Sequence, residues 1–441
     1  MMLDYKDRII DSLQKLIAIP SVKYDGLPED QYQESEGAPF GKNIEKALEY
    51  TLSLCEELGF RTKNCNGYVG YAEIGEGDEL FAILTHLDVV PEGHDWTYPP
   101  FGGEIHDGKL YGRGAIDDKC SAITSIYAVK ALMDKGVRWN KRVRLIFGVD
   151  EEKTWKDMEY YVANEEQPTL GFTPDASFPA VYCEKEILHF DIAKHLNGTG
   201  TPWTLSGGTA NNAVPDSCIL ECGSVKMETE GTAAHGSRPW EGKNAVTEMM
   251  NQLQSKMDAG EKLCTPELED CVRFYQKFFG ETLDGSLLGI DFRDDISGGT
   301  TFNVGKVRAS EKEIRFSIDI RMPLSTSTEE LESIMTEKIK DYGYQIENDK
   351  KFDSVYFEKD SVLLSTLVGI YRKFTGDTTE PILMGGGTFA RAIKNIVAFG
   401  PRFPGREETE HRRNEYIFVD DLMLCAEIYS EAVRQLATDD Q

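Results

Sequence analysis

The chain has 441 residues, enough for two or three compact units at roughly 150 residues per domain. Its formal net charge is −28, from 48 basic and 76 acidic residues, which repels polyanions and argues against nucleic acid or an anionic membrane surface as a partner. No apolar stretch approaches the ~20 residues that span a bilayer, and the first residues lack the pattern of a secretory leader. We therefore expect a cytoplasmic protein.

The cysteines are the residues that could cross-link the chain. There are nine, with no CxxC pair and no regular spacing. The sequence therefore predicts reduced thiols, with neither a disulfide framework nor a thiolate zinc site.

The first third of the chain alternates helical and strand patterns. Apolar residues recur at helical spacing over 43–58, and a continuous apolar run at 80–84 leads into His86. A second helical pattern over 122–133 precedes a strand at 143–149, which implies a strand-helix-strand crossover. Ligands bind beyond the carboxyl ends of such strands, and His86 and the pair at 151–152 lie there.

A different pattern begins near residue 183. Apolar residues alternate with polar ones over 314–321, which predicts a half-exposed strand, and helical spacing returns later in the same region. The last apolar run, 396–399, and the helix after Asp420 resemble the first region again. We therefore predict a catalytic domain formed by 1–182 and 356–441, interrupted by an α+β domain at 183–355 whose sheet is covered by helices on one side.

Two of the seven histidines stand in unusual settings: His86 follows a buried strand, and His411 follows a Pro-Gly turn. A single histidine of this kind is more often structural than a ligand. Carboxylates at 117–118, 150–152 and 175 change the interpretation, because neighbouring carboxylates repel unless a cation or a shared proton neutralises them. Imidazole and carboxylate ligands suit zinc, manganese or cobalt, and one bridging carboxylate can hold two ions ~3.5 to 4 Å apart.

The order of these motifs carries a family resemblance. His-x-Asp, Gly-Arg-Gly-x-x-Asp-Asp-Lys, Asp-Glu-Glu, Pro-Asp-Ala and a late His-x-x-Asn-Glu follow one another between His86 and Glu415. This series resembles the aminoacylase/carboxypeptidase family of two-metal hydrolases, which includes the ArgE/DapE-type enzymes. Within the family, the chain is most similar to the dipeptidase V branch of carnosinase-like or Xaa-His dipeptidases. The resemblance implies an α/β zinc-peptidase catalytic domain, a mixed sheet flanked by helices, with an inserted α+β lid domain.

The resemblance also implies roles for individual residues. Five would bind two divalent ions, zinc before manganese or cobalt: His86 and Asp175 on one, Glu152 and His411 on the other, and Asp117 bridging both. Glu151 would be the general base for a metal-bridging water. Asp88 would accept a hydrogen bond from His86 and orient its ring. The peptide between Asp117 and Asp118 would be cis, with Asp118 structural.

The lid domain contributes a second set of expected residues. His235 resembles the family's oxyanion-stabilising histidine, and Asn212 and Arg321 match substrate-contacting positions. Arg321 suits a carboxylate because its guanidinium offers parallel charge-assisted bonds. The glycine-rich segment with Gly386, Gly387 and Thr388 lacks the Walker spacing and lysine, so we expect it near the substrate and not around a nucleotide. Since His235, Asn212 and Arg321 lie in the insertion and the expected metal ligands lie outside it, the full site requires both domains to meet.

The expected activity is hydrolysis of dipeptides, with β-alanyl or Xaa-His substrates included as candidates. An N-acyl amino-acid deacylase or a carboxypeptidase of the same family is the alternative, and a non-catalytic binding protein with this fold is a third. The retained ligand set and Glu151 argue against the third. The expected partner is a small peptide with a free carboxylate, bound by a monomer or a weak homo-oligomer.

Overall fold

The computed structural model describes residues 2–23, 37–198 and 201–439. The α-helices of these residues are α1 (Lys6–Ile17), α2 (Lys42–Glu57), α3 (Lys119–Lys135), α4 (Lys156–Asn164), α5 (Ala245–Asp258), α6 (Pro266–Phe278), α7 (Thr328–Ile339), α8 (Val362–Thr375) and α9 (Val419–Ala437). Short 3-10 helices span Met2–Tyr5, Pro239–Glu241, Ser286–Leu288, Lys340–Tyr342 and Phe389–Ala392. Within these ranges, no helix is both long and apolar enough to cross a bilayer.

The strands of the same residues fall into two groups along the chain. Those before residue 200 are β1 (Arg61–Cys65), β2 (Val69–Ile74), β3 (Leu80–His86), β4 (Ile105–His106), β5 (Lys109–Tyr111), β6 (Arg142–Gly148), β7 (Leu170–Thr173), β8 (Ala176–Ser177), β9 (Val181–Glu184) and β10 (Glu186–His195). Those after it are β11 (Trp203–Gly207), β12 (Ser217–Cys222), β13 (Val225–Glu230), β14 (Arg293–Asp294), β15 (Gly298–Gly299), β16 (Thr301–Ser310), β17 (Glu313–Met322), β18 (Gln345–Phe352), β19 (Val355–Tyr356), β20 (Ile382–Met384), β21 (Ile396–Ala398), β22 (Pro401–Arg402) and β23 (Tyr416–Phe418).

The described residues form two compact units. The first contains the chain up to Tyr182, then Tyr356–Ile382, and the chain from Thr388 onward. The second contains Cys183–Val355 and the five residues Leu383–Gly387.

The first unit is built on a mixed sheet, as predicted. Its strands run in the order β1-β2-β6-β3-β7-β21-β9, and the neighbours β6, β3, β7 and β21 are parallel. All seven residues of β3 are buried, which explains its continuous apolar sequence. Because parallel strands end at the same edge, the residues that follow β3, β6 and β7 lie along one edge of the sheet.

The second unit is an antiparallel sheet with one covered face. Its strand order is β13-β12-β11-β16-β17-β10-β18, and α5, α6 and α7 contribute buried apolar side chains to its core. The apolar residues of β17, from Ile314 to Ile320, belong to that core. The expectation that the strand's other face is half-exposed is wrong at its end: Ser317, Asp319 and Arg321 are all buried. Their polar groups are satisfied largely inside the unit, as described below.

One cysteine expectation is also wrong. Cys222, at the end of β12, and Cys264, just before α6, form a disulfide, while the remaining cysteines are free and buried. The two partners are separated by 42 residues, so no local motif reveals the pair.

The packing around β7 gives a direct test of this sheet. A Cβ added to Gly171 would stand 2.1 Å from the Ala82 carbonyl oxygen of β3 and 2.7 Å from an Ile396 side-chain carbon of β21. We expect Gly171→Ala to lower the free energy of unfolding by about 3 kcal/mol, because neither neighbouring strand can yield. Urea unfolding followed by circular dichroism measures the change. Gly369→Ala, on an open face of α8, is the control and should be neutral or slightly stabilising; equal losses would contradict the packing.

Candidate metal centre and active site

Two imidazoles face one carboxylate at the edge of the first unit's sheet. Nε2 of His86 lies 3.1 Å from Oδ1 of Asp117, and Nε2 of His411 lies 3.0 Å from Oδ2 of the same residue. His411 Nε2 is also 3.1 Å from Oε1 of Glu152, and His86 Nε2 is 3.8 Å from Oδ1 of Asp175. The structure therefore brings together the five residues expected to bind metal.

The positions of these residues follow from the sheet. His86 ends β3, Glu152 follows β6 and Asp175 follows β7, so their side chains meet at the shared carboxyl edge. Asp117 stands two residues before the first residue of α3, and its peptide bond to Asp118 is cis. His411 comes from a distant loop and has left-handed backbone geometry, with φ of 61°. A non-glycine residue in this region is uncommon and is found at functional sites more often than elsewhere.

Burial and charge act against each other in this group. Burial lowers the pKa of His86, but hydrogen bonds to Asp117, Asp175 and Asp88 outweigh it and leave the pKa well above its usual value. Burial likewise opposes protonation of His411, yet its carboxylate partners raise its pKa to about 12. Burial alone would raise the pKa of Asp117, but its hydrogen bonds to the two imidazoles lower it. The surrounding carboxylates thus raise the pKa of both imidazoles in spite of burial.

The donor set fits divalent cations. Nδ1 of His86 donates to the main-chain oxygen of Asp88 at 3.0 Å, which leaves the Nε2 lone pair of a neutral ring directed at Asp117. A lone pair facing a carboxylate oxygen is repulsive unless a proton or a metal ion stands between them. Ligand atoms of His86, Asp117 and Glu152 lie within 4.8 Å of one another, and the imidazole and carboxylate chemistry suits zinc or manganese.

Asp88 has a different main contact from the one expected. Its carboxylate oxygens accept the backbone N–H groups of Glu151 at 3.2 Å and Glu152 at 3.0 Å. The carboxylate stands 3.5 Å from Nδ1 of His86, while the shorter contact to that ring comes from the main-chain oxygen. Asp88 therefore orients the histidine through its backbone and the glutamate pair through its side chain.

Glu151 carries a carboxyl group whose pKa is shifted by its surroundings. Burial raises its pKa well above the usual value, and repulsion from Asp175 and Glu152 adds to the effect. Its main-chain oxygen accepts Nε1–H of Trp155 at 2.6 Å. The strand end before it is fixed by Asp157, which accepts the N–H groups of residues 149 and 150 at 2.7 and 3.0 Å.

His235 lies in the second unit, where its tautomer can be deduced. Nδ1 accepts the backbone N–H of Ser237 at 3.2 Å and lies 2.7 Å from the hydroxyl of the same serine. A backbone N–H can only donate, so Nδ1 carries no proton, and the proton of a neutral ring is on Nε2. His235 can therefore act as a donor through Nε2.

Asn212 belongs to the same part of the second unit. Its main-chain oxygen accepts the N–H of Gly236 at 2.7 Å, and its side chain is exposed. Asn303 supports the segment by donating from Nδ2 to the carbonyls of Asn211 at 3.3 Å and Ala213 at 3.0 Å. The loop of Asn212 and the loop of His235 are thus joined by main-chain bonds.

Arg321 is not an open cation. It is 2% exposed, its Nη2 donates to Asp319 at 2.7 Å, and its Nη1 donates to the Gly385 carbonyl at 2.9 Å. Asp319 is fully buried and packs on Gly236, whose added Cβ would stand 2.5 Å from Oδ2. Among the described residues, Nε of Arg321 and Oδ1 of Asp319 have no hydrogen-bond partner. The same holds for Nε2 of His189, which lies 3.9 Å from that Oδ1. The sequence pattern did not reveal this pair.

The glycine-rich segment is divided between the units. Gly386 and Gly387 belong to the second unit with Gly385, whereas Thr388 belongs to the first. The Thr388 hydroxyl accepts the N–H of Ala390 at 3.2 Å and caps the short helix Phe389–Ala392. The N–H of Phe389 donates to Asp175 at 3.3 Å, so this segment also touches the metal-binding group.

Comparison with known proteins agrees with this architecture. A model of Peptidase family M20/M25/M40 matches residues 82–435. The chain belongs to this peptidase family. The Bacillus subtilis protein named "Putative dipeptidase YtjP" is 34% identical over 472 residues, covering 98% of this chain and 98% of that protein. A Staphylococcus epidermidis protein named "Putative dipeptidase" is 32% identical over 475 residues, covering 99% of each.

A solved structure supports the fold independently. The aminoacylhistidine dipeptidase of Vibrio alginolyticus matches with a TM-score of 0.62 at 14% identity, covering 98% of this chain and 96% of that one. At 14% identity this match shows that the two chains share a fold, and it carries no information about the substrate of this chain.

Several residues of this M20/M25/M40 peptidase had no role in the sequence interpretation. The sequence shows Glu415 only as the end of the His-x-x-Asn-Glu motif, and no motif contains Asp157. Asp319 stands two residues before Arg321 on one face of β17, a spacing that could have suggested the pair.

A second group of possible ligands lies in the other unit of this peptidase. His195, Glu313 and Glu347 also bring ligand atoms within 4.8 Å of one another. Arg315, however, lies 2.7 Å from both Glu313 and Glu347, so these carboxylates already have a cation.

Metal removal tests the charge balance of this M20/M25/M40 peptidase. After chelation, restored zinc or manganese should raise Tm by at least about 3 °C, because the ions relieve repulsion among buried carboxylates. Glu152→Gln should reduce this rise, whereas Glu347→Gln, in the other group, should not. Differential scanning fluorimetry measures both. An equal rise in wild type and Glu152→Gln would contradict the metal site.

Proposed function

We propose that the chain is a two-metal dipeptidase that hydrolyses short peptides with a free carboxylate. The observation that carries the proposal is the position of Asp117, whose two carboxylate oxygens each face a different imidazole. A carboxylate shared in this way can bridge two metal ions that lie about 3.5 to 4 Å apart, the spacing found in two-metal hydrolases. The names of the two similar bacterial proteins support the choice of dipeptides.

The proposed ligands divide into two sets. His86 and Asp175 would hold one ion, Glu152 and His411 the other, and Asp117 both, with zinc as the first candidate and manganese or cobalt as alternatives. When bound, the ions would supply Lewis-acid chemistry that polarises the scissile carbonyl and acidifies water. Asp88 would keep the proposed ligands in position, because its backbone oxygen orients His86 and its carboxylate orients residues 151 and 152.

Glu151 would move the proton. Its pKa is raised by burial and by the carboxylates around it, which makes it a stronger base than an ordinary glutamate. It would accept a proton from the attacking water and return that proton to the departing amine. His235, with its proton on Nε2, would donate a hydrogen bond to the oxyanion.

Substrate recognition would use the second unit. Arg321 would bind the terminal carboxylate with N–H groups that Asp319 and Gly385 do not occupy. Asn212, with its exposed side chain, and the backbone of Gly386 and Gly387 would contact the rest of the peptide. Thr388 would act mainly through the short helix that it caps.

A substrate panel tests the proposal as a whole. Dipeptides, tripeptides and N-acetyl amino acids are assayed after chelation and again with zinc, manganese or cobalt restored. Metal-dependent release of amino acids from dipeptides is expected, with tripeptides and N-acetyl amino acids much slower. Preference for N-acetyl amino acids would assign the chain to deacylation instead.

Replacement of the proposed general base gives the second test. Glu151→Gln should keep both ions and the fold but lower kcat by at least about 100-fold, because an amide cannot accept the proton. Glu152→Gln is the neighbouring control and should instead weaken metal binding. Steady-state kinetics with elemental analysis separates the two. Activity of Glu151→Gln within about tenfold of wild type would remove it from this role.

The proposed carboxylate site needs a test that allows for the buried ion pair. Arg321→Met alone would leave Asp319 buried and unpaired, which costs about 3–5 kcal/mol and confuses folding with function. The double variant Asp319→Asn/Arg321→Met is therefore compared with Asp319→Asn. We expect about 100-fold lower kcat/KM on dipeptide acids, ~2.7 kcal/mol, and little further loss on dipeptide amides. Equal losses on acids and amides would show that Arg321 does not read the carboxylate.

A further inference from the structure

Glu415 is a fully buried carboxylate that touches no proposed substrate and is not a proposed ligand. Its Oε1 accepts three backbone N–H groups, from Gly114 at 3.0 Å, Ile116 at 3.0 Å and Asp117 at 3.2 Å. Its Oε2 accepts Nη1–H of Arg113 at 2.6 Å. All four groups that contact the Glu415 side chain are hydrogen-bond donors. This set suits an ionised carboxylate, because an amide NH2 group could not accept from any of them.

These contacts determine the shape of the loop before α3. Three N–H groups, from residues 114, 116 and 117, converge on one oxygen, and such a concave arrangement of donors favours an anion. Gly114 adopts φ of 86°, and a Cβ there would stand 2.8 Å from Lys119 Cδ, so the turn also requires glycine. The loop that presents Asp117 is therefore folded around a carboxylate supplied from about 300 residues away in the sequence.

The same residue anchors the loop of His411. Glu415 lies four residues after His411, and its main-chain oxygen accepts the N–H of Gly112 at 3.0 Å. Arg113 adds a bond from Nη1 to the Arg412 carbonyl at 3.2 Å. Two loops that each provide one partner of the 3.0 Å contact between Asp117 and His411 are thus fastened to each other through Glu415.

We propose that Glu415 is a positioning residue of the metal centre, which sets the distance between the bridging carboxylate of Asp117 and the imidazole of His411. The inference rests on the proposed function only in that Asp117 and His411 bind metal. Glu415 would act through the backbone N–H of Asp117 and through the chain that leads to His411, so its loss should be felt first as weaker metal binding.

Metal affinity of Glu415→Gln is the decisive measurement. With one oxygen replaced by NH2, the side chain must turn a donor toward either Arg113 or the three backbone N–H groups. We expect zinc or manganese affinity, measured by competition with a chromophoric chelator, to fall at least about tenfold. The control is Leu48→Ala, a core variant on α2 that packs over Gly70, away from both loops. It should lower Tm yet keep metal affinity within about threefold.

The outcomes separate positioning from general stability. Unchanged metal affinity in Glu415→Gln, within about threefold of wild type, would overturn the proposal, and so would an equal loss of affinity in Leu48→Ala. If Glu415→Gln does not fold, Arg113→Lys decides, because it keeps the charge but loses the guanidinium whose Nη1 donates both to Oε2 of Glu415 and to the Arg412 carbonyl. A loss of metal affinity of about threefold or more in Arg113→Lys supports the proposal, and a smaller loss overturns it.

The metal-affinity test of Glu415 does not depend on peptide turnover. Wild-type protein that binds two ions but cleaves no dipeptide would contradict the proposed function and still test Glu415 through affinity. Wild-type protein that binds no divalent ion would contradict both.

Discussion

Repulsion among buried carboxylates at one edge of the first unit's sheet is the constraint on which the site depends. Asp117, Glu151, Glu152 and Asp175 share this edge, and burial pushes the pKa of the last three upward. Two imidazoles supply at most two positive charges. Divalent cations would compensate this repulsion, and the parallel strands hold the ends that carry Glu152 and Asp175 at one edge.

The carboxylates of this edge divide by the donors that they accept. Asp88, Asp157 and Glu415 accept backbone N–H groups and so hold loops in place. Asp117 and Glu152 instead face imidazole nitrogens, with their oxygens directed into the shared space. Backbone donors are fixed in position and cannot be replaced by solvent, whereas an imidazole can exchange its proton for a metal ion. The first group of carboxylates therefore holds the backbone loops in place, and the second group contacts the imidazoles of the candidate metal site.

This division explains what the sequence could and could not predict. The apolar run of β3 and the strand-helix-strand pattern predicted a crossover, and the family resemblance implied the mixed sheet. Local patterns set the strand ends, which explains why His86, Glu152 and Asp175 could be expected at one edge. The contacts of Glu415 and Asp157 depend on loop conformation, which no periodicity encodes. The disulfide has no local signal either, because its partners are separated by 42 residues and meet only in the folded chain. The Asp319–Arg321 pair differs, because its two-residue spacing on one face of β17 is visible in the sequence.

The buried pair also changes how Arg321 would recognise a carboxylate. An open arginine attracts any anion, but Arg321 is already neutralised by Asp319 at 2.7 Å and held by the Gly385 carbonyl at 2.9 Å. Long-range attraction for a second anion is therefore weak, and binding would depend on the remaining N–H groups being met in the correct direction. Because Gly385 is fixed to the same guanidinium, the backbone of the glycine-rich segment and the donors of Arg321 keep one spacing. Arg321 would therefore select a carboxylate by the direction from which it approaches and not by charge alone.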